Sequence, residues 1–149
     1  MIARMSDRSG ALRDQHDALR DEHDALRDEH DAMRDLLEQV RVELLGGEVA
    51  AARDALRRLG AMQGAHIARE NTALIPRLGP AARWPARVYL AEHAKLEALH
   101  ADLLELLAPL PGRCADARLR LALLDALAPF KHLLEHHFER EQQGLFIEV

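Results

Sequence analysis

Two ten-residue stretches of this chain carry the same set of residues able to bind a metal. One runs from His66 to Ile75 (His-Ile-Ala-Arg-Glu-Asn-Thr-Ala-Leu-Ile), the other from His137 to Phe146 (His-Phe-Glu-Arg-Glu-Gln-Gln-Gly-Leu-Phe). Both read His-x-x-Arg-Glu-(Asn/Gln)-x-(Ala/Gly)-Leu-(Ile/Phe). Residues four apart are neighbours on one face of a helix, so each copy sets an imidazole beside a carboxylate. Imidazole suits iron and carboxylate oxygens can bridge two cations, so two such faces turned toward each other would hold metal.

Spacing alone is weak evidence. With nine histidines and 25 acidic residues in 149 positions, roughly one or two His-x3-acid pairs arise by chance. There are three, ending at Glu70, Glu97 and Glu141. The repeated context and the apolar stripes on which they lie single out Glu70 and Glu141.

The elements that must position these residues are helices. Aromatic residues make up only 3%, while Ala, Leu, Arg, Asp and Glu dominate, which favours an all-α fold in one domain. Residues 1–8 read as a flexible N-terminus, with Ser6 or Ser9 available to cap a first helix. From there a heptad repeats with His16, His23 and His30 at one seam position and Leu19, Leu26 and Met33 at the other, continuing through Leu37, Val40 and Leu44. Gly46-Gly47 ends that helix. A second carries Leu56, Leu59, Met62, His66, Glu70 and Leu74 and stops at Pro76 and Pro80. A third carries Val88, Leu90, His93, Leu96, Leu99 and Leu103 up to Pro109, and a fourth, from about Ala115, carries Leu121, Leu124, Leu127, Phe130, Leu134, His137, Glu141 and Leu145. Trp84 sits where it would plug the bundle end. Short links make sequential helices antiparallel, so residues 9–149 are expected to form an up-down-up-down four-helix bundle with an extended first helix.

His30, His66, Glu70, His93, His137 and Glu141 all fall on the inner stripes of this arrangement. Unpaired carboxylates in a core cost several kcal/mol each, which a cation would offset. Heights support the grouping: His30 lies 16 residues before Gly46 and His66 lies 19 after Gly47, about one helical turn apart. His23 shares the context of His30 and competes with it, but the second half, where His93 sits nearer its turn, favours His30. The chain reads as a duplicated helical hairpin, each copy giving one histidine from its first helix and a His-x3-Glu pair from its second. His100, His132 and His136 fall off the inner stripes, and Tyr89 lies one turn before His93.

The order His30, His66-x3-Glu70, His93, His137-x3-Glu141 resembles the hemerythrin-like (HHE cation-binding) domains, over roughly residues 16–147. The resemblance implies a four-helix bundle holding two non-haem iron ions, oxo- or hydroxo-bridged, with terminal imidazoles and with Glu70 and Glu141 as bridging carboxylates. It further implies open positions for a small diatomic ligand or peroxide (O2, NO or H2O2), for sensing, storage or detoxification. Oxygen-carrying hemerythrins have a second histidine where this chain has Glu97, and an aspartate in the role of Glu141. The four-His, two-Glu set is more similar to the bacterial iron-centre repair and nitric-oxide-responsive branch, whose cysteine-bearing N-terminal extension this sequence lacks. Glu97 is left as a ligand, a residue behind the ligands or a surface residue.

The other reading of the same residues is a helical structural or interaction module without a functional metal site. Turnover as an oxidase or peroxidase is left open. The charge of −5, with both signs interspersed, gives no nucleic-acid footprint. A lone Cys114, the lack of an apolar leader in residues 1–10 and the lack of a long apolar run point to a cytoplasmic protein without a membrane span. The N-terminal heptads outrun the other helices and suggest a homodimer.

Overall fold

The computed structural model of the chain describes the backbone of residues 2–149 and the side chains from Arg8 onward. Four long helices form a bundle, and among the described residues there is no strand. They are α1 (Ile2–Leu45), α2 (Val49–Arg69), α3 (Ala86–Leu107) and α4 (Ala117–Gln143), followed by a single turn, α5 (Leu145–Glu148). Each long helix packs against two others, α1 on α2 and α4, and α3 on α2 and α4. Ser9 lies inside α1 and does not cap it, and the side chain of Ser6, the other capping candidate, lies outside the described ones. The loose N-terminal segment expected over residues 1–8 falls largely on residues whose side chains lie outside the described ones.

The turn between α1 and α2 is built on Gly47. Glu48 N–H donates to Glu43 O at 2.8 Å and Gly47 N–H to Leu44 O at 3.1 Å, closing the helix through a left-handed Gly47 with φ 75°. A Cβ there would also meet the Cys114 carbonyl, which sits against this turn because Cys114 N–H donates to Gly47 O at 2.8 Å. Arg53 ties the other connection down, its guanidinium donating to the carbonyls of Leu107 (2.8 Å) and Leu110 (3.0 Å) at the end of α3. Asp116 caps α4 by accepting from Arg118 N–H.

The buried stripe of α1 is Leu26, His30, Met33, Leu37, Val40 and Leu44, as the heptad requires. Two stripes differ from the sequence reading. On α4 the buried series is Leu123, Leu127, Phe130, Leu134, His137 and Glu141, and Leu121 is 60% exposed. Steps alternating four and three keep one side of a 3.6-residue helix, and Leu121 stands off that series. On α3, Tyr89, His93 and Leu96 are buried while Leu90 faces solvent.

The apolar interior has two parts. The larger fills the end of the bundle nearer Gly47 and contains Met33, Leu37, Leu56, Leu59, Leu96, Leu127, Phe130 and Phe138. The smaller joins Leu26, Leu74, Ile75, Tyr89, Leu145 and Phe146, with half-buried Trp84 packed against it near the opposite end. The histidines and glutamates singled out above lie between them.

Candidate metal centre

All four long helices contribute. His30 comes from α1, His66 from α2, His93 from α3, and His137 and Glu141 from α4, while Glu70 opens a wide turn after α2. All six are essentially shielded from solvent. That turn, Glu70–Leu74, is π-helical and passes into a 3-10 turn, Ile75–Arg77. Two residues account for the widening. The Thr72 hydroxyl donates to Ala68 O at 2.8 Å, and Pro76 has no N–H for the carbonyl four residues back and would crowd it. The wide turn keeps both Glu70 and Leu74 on the buried side, a placement common where helices carry functional groups.

The six residues form two overlapping groups. His30, His66, Glu70 and Glu141 can each present one ligand atom within 4.8 Å of the others, and so can Glu70, His93, His137 and Glu141. Each hairpin thus supplies the histidine pair of one group, and both carboxylates are common to the two. His30 Nε2 stands 3.1 Å from Glu141 Oε1, and His66 Nε2 stands 3.3 Å from Glu70 Oε2. Across the site His93 Nε2 is 3.2 Å from Glu70 Oε1, and His137 Nε2 is 3.0 Å from Glu141 Oε1. The Nε2 atoms of His30 and His66 are 3.2 Å apart, close to the roughly 3 Å separating two nitrogens that share one ion at ~2.1 Å.

Several of these atoms have no hydrogen-bond partner although buried: both oxygens of Glu70, Oε2 of Glu141, and Nε2 of His93 and His137. Buried groups of this kind ordinarily find partners. Their convergence from four helices fits a set of metal ligands.

The electrostatics point the same way. Burial, and then the neighbouring Glu141, push the Glu70 carboxyl above its ordinary value. Burial acts likewise on Glu141, but the surrounding imidazoles, His137 foremost, hold it well below that value. Burial also disfavours the charged forms of His66 and His137. The two carboxylates override it and raise His66 to about 10 and His137 to about 9. His93 is raised in the same sense, and burial leaves His30 lowered. Protons thus fill the role of positive charge between the carboxylates, a role open to a divalent ion.

Behind the six stands a second set that the sequence reading did not assign. His66 Nδ1 lies 2.6 Å from Glu29 Oε2, and Arg69 Nη2 donates to Glu29 Oε1 at 2.6 Å. The other hairpin repeats this, with His137 Nδ1 3.3 Å from Glu92 Oε1 and Arg140 Nε donating to the same oxygen at 2.9 Å. His93 Nδ1 lies 2.7 Å from Asn71 Oδ1, and the Gln142 amide stands 3.4 Å from His30 Nδ1. Each of those two amides therefore reaches a histidine of the opposite hairpin. The signal was in the repeated pattern, since the Arg and Asn/Gln flank each motif glutamate and a glutamate precedes both His30 and His93.

The remaining candidates lie elsewhere. Glu97 is exposed, so it belongs to the surface. His23 is half-buried and stacks on Phe146 at 6.2 Å, away from both groups. His100 is half-buried, its Nε2 2.7 Å from Leu56 O. Tyr89 is a core residue, and burial raises its hydroxyl to about 12. His16, His132 and His136 are exposed.

The model of the hemerythrin HHE cation binding domain matches residues 5–78, which span α1, α2 and the turns after it. The chain belongs to the hemerythrin HHE family. The match covers the first hairpin and His30, His66 and Glu70. No curated protein and no solved structure matches significantly. Members of this family bind metal cations, and this member has buried His/Glu groups that could hold them.

Proposed function

We propose that this hemerythrin-family chain is a non-haem di-iron binding protein that binds or responds to a small oxidant, O2, NO or peroxide, for sensing, storage or detoxification. The observation that carries the reading is the pair of buried carboxylates shared between two histidine pairs. In this reading His30 and His66 would hold one iron and His93 and His137 the other, with Glu70 and Glu141 available to both. Iron so held supplies reversible electron transfer and open coordination positions for a diatomic ligand or peroxide. The chain's own contribution is to fix the imidazoles through Glu29, Glu92, Asn71 and Gln142, and to exclude water with Phe138, Phe146 and Leu74.

The test is iron content and absorption of the tag-free protein. Two irons per chain and a near-ultraviolet band that O2 or NO alters are expected, and Glu70→Ala should lose both. A protein that stays iron-free after anaerobic reconstitution with ferrous ion would refute the proposal.

The exposed end of α1 supports a second reading, concerning partners. Leu12 is 66% exposed on the stripe that continues through His16 and Leu19 into the bundle. Beside it, Leu19, Phe146, Ile147 and Val149 line an open cleft. A second copy of this helix, laid antiparallel, covers that stripe, and a dimer by light scattering that Leu12→Glu converts to monomer is the expected result.

A further inference from the structure

Outside the buried cluster, one pair of titratable side chains on α4 has the geometry of a chelate. His132 and His136 are four residues apart and exposed, with ring centroids 4.6 Å apart and planes 73° to each other. Two imidazoles binding one ion at roughly 2.0–2.1 Å, with ring centres about 1.1 Å beyond the nitrogens, have centres roughly 4.5–5.2 Å apart at bond angles from a right angle to tetrahedral. The observed spacing falls in that range. It also matches the pairs inside the protein, His30 with His66 at 4.9 Å and His93 with His137 at 4.8 Å.

We propose that His132 and His136 form a surface site, separate from the buried cluster, for a divalent ion that prefers imidazole: Cu2+, Ni2+ or Zn2+. His136 and His137 are adjacent in sequence, but a step of one residue on a helix turns about 100°. One therefore faces solvent and the other the interior, and the two sites share no ligand. The surroundings favour a cation. Glu139 follows His136 by three residues, accepting from Gln143 Nε2 at 3.0 Å, and Lys131, the adjacent base, is tied to Glu135 at 2.9 Å. With two protein ligands and water in the other positions, the site exchanges its ion freely. At nitrogen ligands affinity rises from iron(II) through nickel to copper, so a site built of two imidazoles suits the later metals.

The test is calorimetric titration of the tag-free, iron-loaded chain with Ni2+, alongside electron paramagnetic resonance with one equivalent of Cu2+. Wild type should bind one ion and show nitrogen superhyperfine structure from two imidazoles. His132→Ala/His136→Ala, in which alanine is compatible with an exposed helical position, should bind at least about tenfold more weakly and lose that structure. His16→Ala should behave as wild type. An isotherm and spectrum unchanged in the double variant overturn the proposal, as does equal loss in His16→Ala. If the chain takes up no iron, the same comparison is made on the metal-free protein, where the ion lost between wild type and the double variant is the one scored.

Discussion

Each of the four histidines in the cluster has a named group at its far nitrogen, and the four groups are not equivalent. Glu29 and Glu92 are carboxylates clamped by Arg69 and Arg140, whereas Asn71 and Gln142 are neutral amides. A carboxylate behind an imidazole fixes its tautomer and strengthens it as a donor. Burial opposes ionisation of Glu29 and Glu92, yet their histidine and arginine neighbours hold both below the ordinary carboxylate range. Glu29→Gln should therefore fold normally and weaken metal binding by about 10–100-fold, read by competition with a chelator of known affinity. Unchanged affinity would mean that Glu29 serves only its ion pair with Arg69. Position along the chain revealed the six inner residues, because each sits on an apolar stripe. Their outer partners were hidden because contacts between helices depend on packing rather than on spacing within one helix.

At the scale of elements, a local signal was decisive where backbone geometry is demanding. Gly47 needs its left-handed conformation and a close approach to the Cys114 carbonyl, so Gly47→Ala should cost at least about 1–2 kcal/mol. A lower urea midpoint with an unchanged slope would show it. Helix phase was harder to read. Leucine is so common on α4 that Leu121 and Leu123 both extend a plausible stripe, and only the neighbouring helices distinguish them. Leu123→Ala should therefore cost about 2–5 kcal/mol and Leu121→Ala no more than about 0.5 kcal/mol. Equal effects of the two would contradict the observed helix phase. The π turn at Glu70 also escaped the reading, since the repeat predicts like geometry in both hairpins. The second hairpin instead leaves its helix at Gly144 and restarts as α5.

For the molecule as a whole, the cluster links stability to protons. His66 and His137 have folded values of about 10 and 9 against 6.5 for the free group, so protonation stabilises the metal-free fold. That contribution is complete below 6.5 and is lost as pH rises through about 9 to 10. Glu141, held well below the ordinary carboxylate value of 4.5, contributes above that value and loses its contribution as pH falls. Above about pH 9 the metal-free chain should thus melt at lower temperature than near pH 6.5. With metal bound the ligands are already deprotonated, and the alkaline fall should disappear. Calorimetric scans of both forms across this range decide the matter, and a flat alkaline limb without metal would count against the clustered charges. Among the described residues no helix is long and apolar enough to cross a membrane.

Read alone, the chain determined its class, the break at Gly46-Gly47 and the inward side of α1, because helix periodicity and glycine act over a few residues, whereas the phase of α3 and α4 was read only in part. It also revealed the duplication, since like stretches demand like roles. Only the tertiary structure decided that the two carboxylates lie between both histidine pairs, that His30 rather than His23 joins them, and that Glu97 stays at the surface. Those outcomes depend on the relative height and rotation of helices far apart in sequence, set by the fit of many apolar side chains at once.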